Sequence, residues 1–254
     1  MKGTNEQDII AGRNSVREAI LSGRRVNKLL LAKNLKESAA QEFIGLAKER
    51  GLLWQMVERE KLYEIAAELN HQGVVAFVSP VPYYTVEDIL AEAQAKQEPP
   101  FLILPDELTD PHNLGAILRT AEAAGAHGIL IPKRRSVPLN ATVAKTSSGA
   151  VEYVKVARIG NISQTLQELK KQGLWVVGAD MDGNQNFWEA DLTVPLVLVI
   201  GSEGKGLSPL TLKNCDMVLR LPMRGRINSL NAGAAASIFI YEIMRQRLCQ
   251  NLLR

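Results

Sequence analysis

Hydrophobic positions in the first part of the chain recur with two different spacings. Short apolar runs over Asn27–Ala32, Leu52–Val57 and Val74–Val78 predict buried strands. The segments between them place apolar residues three and four apart, which predicts helices over about 15–23, 38–50 and 60–69. Strands that alternate with helices are typical of a compact α/β unit. We therefore predict a first domain over residues 1–80.

The alternation breaks at the proline-containing segment 79–82. A polar, acidic helix is predicted next, over Val86–Gln97, and Pro99 and Pro100 follow it. Proline lacks a backbone N–H and disfavours helix at the residue before it, so these prolines separate elements. We therefore predict a linker over residues 81–100.

The alternation resumes at Phe101 and continues to the end of the sequence. Near-continuous apolar runs predict strands over Phe101–Leu104, Gly128–Ile131, Tyr153–Val156, Leu174–Ala179, Leu196–Ile200 and Met217–Leu219. Helices are predicted over about 114–124, 162–172 and 230–247, and a short helix is predicted to end at Ser148. This pattern predicts a second α/β domain over 101–254, with a parallel sheet covered on both faces. Such sheets bind ligands at the carboxyl ends of their strands, so the loops there are the candidate sites.

Composition excludes several classes of protein. No apolar run reaches the roughly 18 residues of a spanning helix, so we expect no membrane association. The two cysteines, Cys215 and Cys249, are too few for a disulfide framework and favour the reducing cytoplasm. The histidines, His71, His112 and His127, are scattered, so no metal site is expected. A net charge of +3 permits nucleic-acid binding without requiring it.

The first candidate loop precedes the helix predicted after strand Phe101–Leu104. At about 100° per residue, Arg119 points some 140° away from the buried position Leu114 and therefore leaves the core. Arg119 is either a solvated side chain or a guanidinium placed for an RNA phosphate, which its rigid charged fork suits. Asn113 is either a helix N-cap or a group that orients a ribose.

The second candidate loop, Gly201–Leu207, follows the apolar strand Leu196–Ile200. Its glycines allow a ligand to approach the backbone closely. The spacing matches neither a P-loop nor a dinucleotide fingerprint, and the charge of Glu203 would repel a phosphate. A cofactor that carries a sulfonium and an ammonium group suits this loop better. The alternative is a tight structural turn in which Glu203 caps local amides.

The third candidate loop, Leu221–Asn231, leads into the last long helix. Ser229 and Asn231 are natural helix caps. The small residues of Ala232–Ala236 allow close approach to the helix, either by a ligand or by another helix. Arg224 and Arg226 are either phosphate contacts or solvated charges.

In this order the three loops resemble the motifs of a known family. The first motif comprises Asn113, Gly115, Ala116, Arg119 and Thr120. The second comprises Gly201–Gly204, Gly206 and Leu207, and the third Leu221–Met223, Gly225 and Ser229–Asn231. Together they resemble the SpoU/TrmH family, RNA ribose 2′-O-methyltransferases of the SPOUT superfamily. The segments Gly12–Val16 and His71–Val74 resemble the L30e-like substrate-binding domain of the rRNA-directed branch.

The resemblance implies a fold and a cofactor. It implies a parallel sheet with a C-terminal trefoil knot, which is rare among folds, preceded by the small L30e-like α/β domain. It also implies a homodimer through the catalytic domains. The implied cofactor is S-adenosyl-L-methionine, held by Gly201, Leu221 and Leu230.

The resemblance further implies the catalytic groups Arg119, Asn113, Glu203, Ser229 and Asn231. In the family's pattern Arg119 takes the ribose proton. A free guanidinium has a pKa above about 12, so an equally suitable arrangement has Arg119 clamp the phosphate while Glu203 or a water takes the proton. Candidate RNA contacts are Arg13, Arg17, Arg24, Arg25, Lys133, Arg134 and Arg135.

The expected substrate is a guanosine ribose in 23S (large-subunit) rRNA, an expectation that comes from the resemblance alone. One alternative is a tRNA 2′-O-methyltransferase. A second is a non-catalytic RNA-binding protein of the same fold, and a third is an α/β enzyme acting on a small molecule. Cofactor binding and label transfer to RNA discriminate among them.

Overall fold

The computed structural model describes residues 8–67, 69–204, 206–226 and 229–252. Within them the chain forms two compact units. The first comprises the chain up to Pro82 together with Leu139–Tyr153. The second comprises Tyr83–Pro138 and the chain from Val154 onward.

The first unit contains a four-stranded mixed sheet. Its strands are β1 (Asp8–Ala11), β2 (Val26–Ala32), β3 (Trp54–Val57) and β4 (Val74–Val78), in the order β1-β4-β2-β3. β4 is antiparallel to both β1 and β2, whereas β3 is parallel to β2. Helices α1 (Arg13–Leu21), α2 (Glu37–Glu49) and α3 (Arg59–Ile65) connect the strands. The small α/β domain predicted from the sequence is confirmed, although β1 was not predicted.

The second unit is built on a seven-stranded sheet. Its strands are β5 (Phe101–Pro105), β6 (Gly128–Pro132), β7 (Lys155–Ile159), β8 (Trp175–Ala179), β9 (Gln185–Asn186), β10 (Leu196–Ile200) and β11 (Met217–Arg220). Their order is β7-β6-β5-β10-β8-β11-β9, and every pairing of neighbours is parallel. The predicted α/β class with a parallel sheet is confirmed. The trefoil knot stays a prediction.

Helices cover this sheet, as the unbroken burial of its central strands requires. They are α4 (Val86–Ala95), α5 (Pro111–Ala123), α7 (Ile162–Lys171), α8 (Pro209–Asn214) and α9 (Ala232–Leu252). The core beneath them includes Leu102, Leu104, Val197 and Val199, all fully buried. None of the helices in the described part of the chain is long and apolar enough to cross a membrane.

The predicted linker contains a helix that belongs to the second unit. Thr85 and Asp88 form a reciprocal capping box at the start of α4, which explains where this helix begins. Ile89 of α4 is buried in the same core cluster as Leu102 and Leu104. Most of the segment 81–100 is therefore anchored to the sheet that follows it.

One segment from the middle of the sequence packs with the first unit. It contains α6 (Ala141–Thr146) and a short 3₁₀ turn over Ala150–Glu152. Ser15 Oγ donates a hydrogen bond to the carbonyl of Ala144 at 3.2 Å, and the Tyr153 hydroxyl donates to Glu18 at 2.7 Å. Periodicity identifies a short helix here but does not say which unit holds it. The division into a first domain over 1–80, a linker over 81–100 and a second domain over 101–254 stays a prediction.

Candidate active site

The three candidate loops meet at one edge of the seven-stranded sheet. β5, β10 and β8 are parallel neighbours, so the loops after them emerge at the same edge. The first loop leads from β5 into α5, the second follows β10, and the third leads from β11 into α9. The sheet topology thus assembles segments that are far apart in sequence.

Polar side chains from all three loops form one hydrogen-bonded network. Glu203 Oε1 accepts from Asn113 Nδ2 at 2.9 Å, from Asn231 Nδ2 at 2.5 Å and from the backbone N–H of Ala232 at 3.2 Å. Asn231 Nδ2 also donates to Asn113 Oδ1 at 2.8 Å. In the described part of the chain no donor contacts the other oxygen, Oε2. Glu203 therefore joins the three loops, and none of these three donors belongs to its own turn.

Asn113 is not the N-cap of its helix, which excludes one of the two interpretations of this residue. Asp110 is the N-cap of α5, and its carboxylate accepts from the N–H of His112 at 3.0 Å. Asn113 is the third residue of the helix, in its first turn, and is only 5% exposed. Its side chain therefore does not cap the helix and instead donates a hydrogen bond to Glu203.

The small residues at the start of α9 serve both helix packing and a cavity. A Cβ at Gly233 would lie 3.1 Å from the Ala116 side chain of α5. Next to this contact, the hydroxyls of Thr120 and Ser237 lie 2.9 Å apart across the two helices. Ala232 and Ala235 line the adjacent apolar cavity. The run Ala232–Ala236 therefore serves helix packing at Gly233 and lines the cavity at Ala232 and Ala235.

An apolar cavity lies beside the network and contains the residues that were expected to hold the cofactor. The three residues assigned to the cofactor, Gly201, Leu221 and Leu230, all line it. The remaining lining residues are Ala179, Asp180, Met181, Ile200, Ser202, Glu203, Gly204, Gly206, Met223, Ser229, Ala232, Ala235 and Phe239. A Cβ at Gly201 would collide with the backbone of Gly206 and Leu207. Glycine at this position therefore keeps the loop folded tightly against the cavity.

Asp180 is a site residue that the sequence analysis missed. Its Oδ2 accepts from the backbone N–H of Leu207 at 2.9 Å, and its Oδ1 accepts from that of Asp182 at 3.0 Å. A Cβ at Gly206 would collide with the same carboxylate. Asp180 therefore fixes the end of the second loop. Its place directly after the apolar strand β8 is the signal that could have identified it.

Arg119 and Ser229 occupy different places relative to the cavities. Ser229 lines the apolar cavity, as Glu203 does. Arg119 lies on the exposed face of α5, as the helical geometry predicts, and outside the lining of the cavities described here. The structure therefore brings together Asn113, Glu203, Ser229 and Asn231, and it leaves Arg119 facing outward.

A second, polar cavity of about 650 Å³ adjoins the apolar one. It is lined by Glu107, Leu108, Thr109, Asp110, Asn113, Arg135, Ser202 and Glu203. Ser202 and Glu203 line both cavities, so they form the wall between them. An apolar and a polar compartment that share one carboxylate wall suit two different ligands brought to a common point.

Burial makes the nearby thiol of Cys215 unreactive. Cys215 Sγ donates to the carbonyl of Thr211 at 3.4 Å. Burial raises the pKa of Cys215 to about 12. Because only the thiolate is nucleophilic, this cysteine does not serve as a covalent catalyst at neutral pH.

Among the predicted RNA contacts, Arg24 is a correction. Its side chain is 6% exposed, and Nη1 donates to Glu152 at 2.7 Å. Nε donates to the carbonyl of Ser79 at 2.7 Å, and Nη2 faces Asp8 at 3.4 Å. A buried guanidinium that is held by two carboxylates and a carbonyl is not available to a phosphate, so the prediction that Arg24 contacts RNA is wrong.

The other predicted RNA contacts are more accessible. Arg25, Lys133 and Arg134 are exposed. Arg13 is half-buried, and Arg17 donates to Glu42 at 2.5 Å on the surface of the first unit. Arg135 is exposed and pairs with Glu107 at 2.6 Å. The roles of these six side chains in RNA binding stay predictions.

Comparison with known proteins identifies the family of both parts of the chain. The model of the SpoU rRNA methylase family matches residues 100–241. The model described as RNA 2′-O ribose methyltransferase substrate binding matches residues 9–84. Similar proteins include YacO of Bacillus subtilis, named as a TrmH family tRNA/rRNA methyltransferase. It is 47% identical to this chain over 96% of this chain and 98% of the relative.

Solved structures agree with the sequence comparison. The SpoU methyltransferase AviRb from Streptomyces viridochromogenes, in complex with AdoMet, is 25% identical, and the match covers 96% of this chain and 91% of AviRb. The TM-score of that match is 0.79. An RNA 2′-O ribose methyltransferase matches with a TM-score of 0.80 at 25% identity, over 96% of this chain and 90% of its own. With the site geometry described above, these matches show that the chain belongs to the SpoU/TrmH family of S-adenosylmethionine-dependent RNA methyltransferases.

Proposed function

We propose that this enzyme methylates the 2′-hydroxyl of a guanosine ribose in 23S (large-subunit) rRNA. The observation that carries the proposal is the Glu203 network. It joins the three loops at the wall between an apolar cavity, which suits the cofactor, and a polar cavity, which suits a nucleotide. The family match of residues 9–84 to a 2′-O ribose substrate-binding module supports the ribose 2′-oxygen as the atom that is methylated.

The apolar cavity is the place for S-adenosylmethionine. Gly201, Leu221 and Leu230 would hold it through backbone contacts and apolar surface. When bound, the cofactor supplies a methyl group on a positively charged sulfonium. The protein's task is then to position the ribose hydroxyl and to receive its proton, because positioning accounts for much of the rate enhancement in such transfers.

Arg119 is proposed to hold the phosphate of the target nucleotide. It lies outside the apolar cavity and faces outward, where RNA can reach it. An adjacent phosphate favours the charged form of a guanidinium, which suits a clamp better than a base. Glu203 Oε2 is the proposed proton acceptor, since Oε1 takes the three hydrogen bonds of the network. Asn113, Ser229 and Asn231 orient the ribose.

RNA recognition is proposed to be shared between the two units. Arg13, Arg17, Arg25 and the Lys133–Arg135 run are the proposed phosphate contacts. We further propose a homodimer through the catalytic unit. Exposed apolar side chains along α9 support it, since Ile238 is 40% exposed, Tyr241 46% and Leu248 54%. Methylation of tRNA is the second candidate, because the Bacillus subtilis relative is named for tRNA and rRNA alike.

The test offers radiolabelled S-adenosylmethionine together with unmodified total rRNA or unmodified total tRNA. The RNA is then digested to nucleosides. Label in 2′-O-methylguanosine from large-subunit rRNA is the expected result. Label confined to tRNA would overturn the substrate and retain the reaction. Label on a base atom, or no label in either RNA, would overturn the proposed reaction.

A further inference from the structure

The polar cavity has one wall that the proposed reaction does not use. Glu107 follows β5 and Arg135 follows β6, two neighbouring parallel strands. Arg135 Nη1 lies 2.6 Å from Glu107 Oε1. The Glu107 side chain is 35% exposed and that of Arg135 is 79% exposed. This ion pair therefore lies at the open side of the cavity, where an incoming nucleotide meets it.

The other carboxylates of the cavity are already engaged by the fold. Asp110 caps α5, and Glu203 binds Asn113, Asn231 and the start of α9. Glu107 is paired with a highly exposed arginine. Exposed ion pairs of this kind contribute roughly 0–1 kcal/mol, so a phosphate exchanges easily for the carboxylate at Arg135. Glu107 is then left as an acceptor that faces the cavity.

Both residues adopt a backbone conformation that their side chains disfavour. Glu107 has φ 56° and Arg135 has φ 57°, in the left-handed region. Glycine would adopt it without strain. Strained residues of this kind cluster at functional sites, where the position of the side chain matters more than local stability. The conformation agrees with a role for both side chains in binding.

The chemistry of the cavity selects a base with adjacent N–H donors. An ionised carboxylate only accepts hydrogen bonds, and its two oxygens match two donors side by side. Guanine presents such a pair on its Watson–Crick edge, N1–H and the N2 amino group. Adenine, cytosine and uracil each place an acceptor beside the donor on that edge, which a carboxylate repels. The three carboxylates of the cavity also repel a phosphate from its interior.

We propose that Glu107 reads the Watson–Crick edge of the target guanine, while Arg135 moves from Glu107 to a phosphate of the bound RNA. This inference rests on the proposed function and adds the residue that determines base specificity. Glu107 acts on the substrate alone, because it lines the polar cavity and not the apolar one.

The first test compares Glu107→Gln with wild type on unmodified 23S rRNA transcribed in vitro. The amide replaces one acceptor with a donor, so we expect kcat/KM to fall by about 5- to 150-fold, the range for one good bidentate base contact. The affinity for S-adenosylmethionine, measured by calorimetry, should not change. Glu168→Gln, the same substitution on the exposed face of α7, is the matched control and should keep wild-type activity.

The second test distinguishes base reading from a structural effect. Transcripts made with inosine in place of guanosine lack the N2 amino group. Any misfolding of such RNA affects both enzymes equally, so only the ratio of their rates is compared. We expect the fold loss in rate caused by Glu107→Gln to be smaller on inosine RNA than on guanosine RNA, because one of the two donors that Glu107 would contact is missing. An equal deficit on both RNAs would overturn the role of Glu107.

Failure of the proposed function would look different. In that case the wild type itself would transfer no label to 23S rRNA, or would label a nucleoside other than guanosine. The role of Arg135 has its own measurement. Removal of one phosphate contact lowers the slope of log affinity for RNA against log salt concentration by about one. An unchanged salt dependence in Arg135→Ala would overturn the exchange of Arg135 to phosphate.

Discussion

Each unit of the protein contains a polar cluster centred on a glutamate, and the two clusters differ in what surrounds them. In the first unit Glu152 pairs with Arg24, and their side chains are 4% and 6% exposed. In the second unit Glu203 is exposed and binds two asparagines and a backbone amide at the edge of two cavities. The first cluster is buried, whereas the second is accessible from two cavities.

The difference separates a structural cluster from a functional one. Burial raises the pKa of the Glu152 carboxyl despite the neighbouring guanidinium. A buried pair of this kind links the segment 139–153 to the rest of its unit and has no route to a substrate. Charged residues alone therefore do not mark a site. Their access to a cavity is the difference between the two clusters.

The largest expected effect comes from Arg119, the outward-facing arginine of the catalytic unit. Arg119→Ala should lower kcat by about 10²- to 10³-fold, the order found for removing one group that stabilises a transition state. The affinity for S-adenosylmethionine and the thermal stability should stay close to wild type. Single-turnover transfer of labelled methyl to rRNA measures the effect. Retention of more than about a tenth of wild-type kcat would contradict the role of Arg119.

Arg220→Ala is the control for this substitution. Arg220 is also an exposed arginine of the second unit, and its side chain binds Asn186. Its removal should leave kcat unchanged. A comparable loss in both variants would show that positive charge in general, and not the position of Arg119, supports turnover.

The next largest effect is on stability and comes from the buried cluster. Arg24→Ala should lower the free energy of unfolding by about 3 kcal/mol, because it leaves Glu152 buried without its partner. The value is at the low end of the usual range because a carboxyl with a raised pKa takes up a proton readily. Urea unfolding followed by circular dichroism measures it, and activity at low temperature should be retained.

Arg17→Ala gives the matched comparison within the same unit. Arg17 pairs with Glu42 at 2.5 Å, but the side chains are 31% and 38% exposed. A pair this exposed contributes less than about 1 kcal/mol. Equal destabilisation by Arg17→Ala and Arg24→Ala would show that the buried ion pair contributes no more to stability than the exposed one.

A smaller effect on catalysis is expected at the centre of the accessible cluster. In Glu203→Gln one oxygen still accepts from Asn231 and Ala232, but the network loses its charge. We expect kcat to fall by about 100-fold, the low end of the contribution of a general base, with less than about 1.5 kcal/mol lost in stability. Rapid-quench kinetics and urea unfolding of the same preparation separate the two quantities. A stability loss without any loss of kcat would assign Glu203 to folding alone.

The smallest effect concerns two buried histidines, one in each unit. Nδ1 of His71 accepts the N–H of Gly73, and Nδ1 of His127 accepts that of Phe101, each at 3.0 Å. Burial lowers the pKa of both imidazoles from the ordinary 6.5, although Glu98 partly offsets this at His127. Below pH 6.5 the unfolded chain therefore binds protons more readily, so stability falls as the pH drops and recovers above that value.

Replacement of either histidine tests this pH dependence. His71→Asn and His127→Asn should each show a smaller difference in unfolding free energy between about pH 5.5 and about pH 7.5 than wild type. Urea unfolding at the two pH values measures it. If both variants keep the wild-type difference in unfolding free energy between the two pH values, burial does not lower the pKa of these histidines in the folded protein.

Elements with long apolar runs were predictable, and elements that depend on a partner were not. β10, with five consecutive buried residues, was identified by its sequence pattern alone. β1 and β9 were missed, because β1 is a short strand ordered by pairing with β4, and β9 has two residues paired with β11. β7 was placed too early, since the periodicity did not reveal that Tyr153 belongs to the first unit.

The sequence by itself determined the parallel sheet, the three loops at its carboxyl edge and the types of residue that they carry. Those features depend on local spacing and strand burial, which the sequence records directly. Only the tertiary structure decided that Asn113 binds Glu203, 90 residues away, and that Arg24 is sealed by Glu152, 128 residues away. Such pairs form between segments that only the folded chain brings together, so no local pattern distinguishes a catalytic side chain from a buried one.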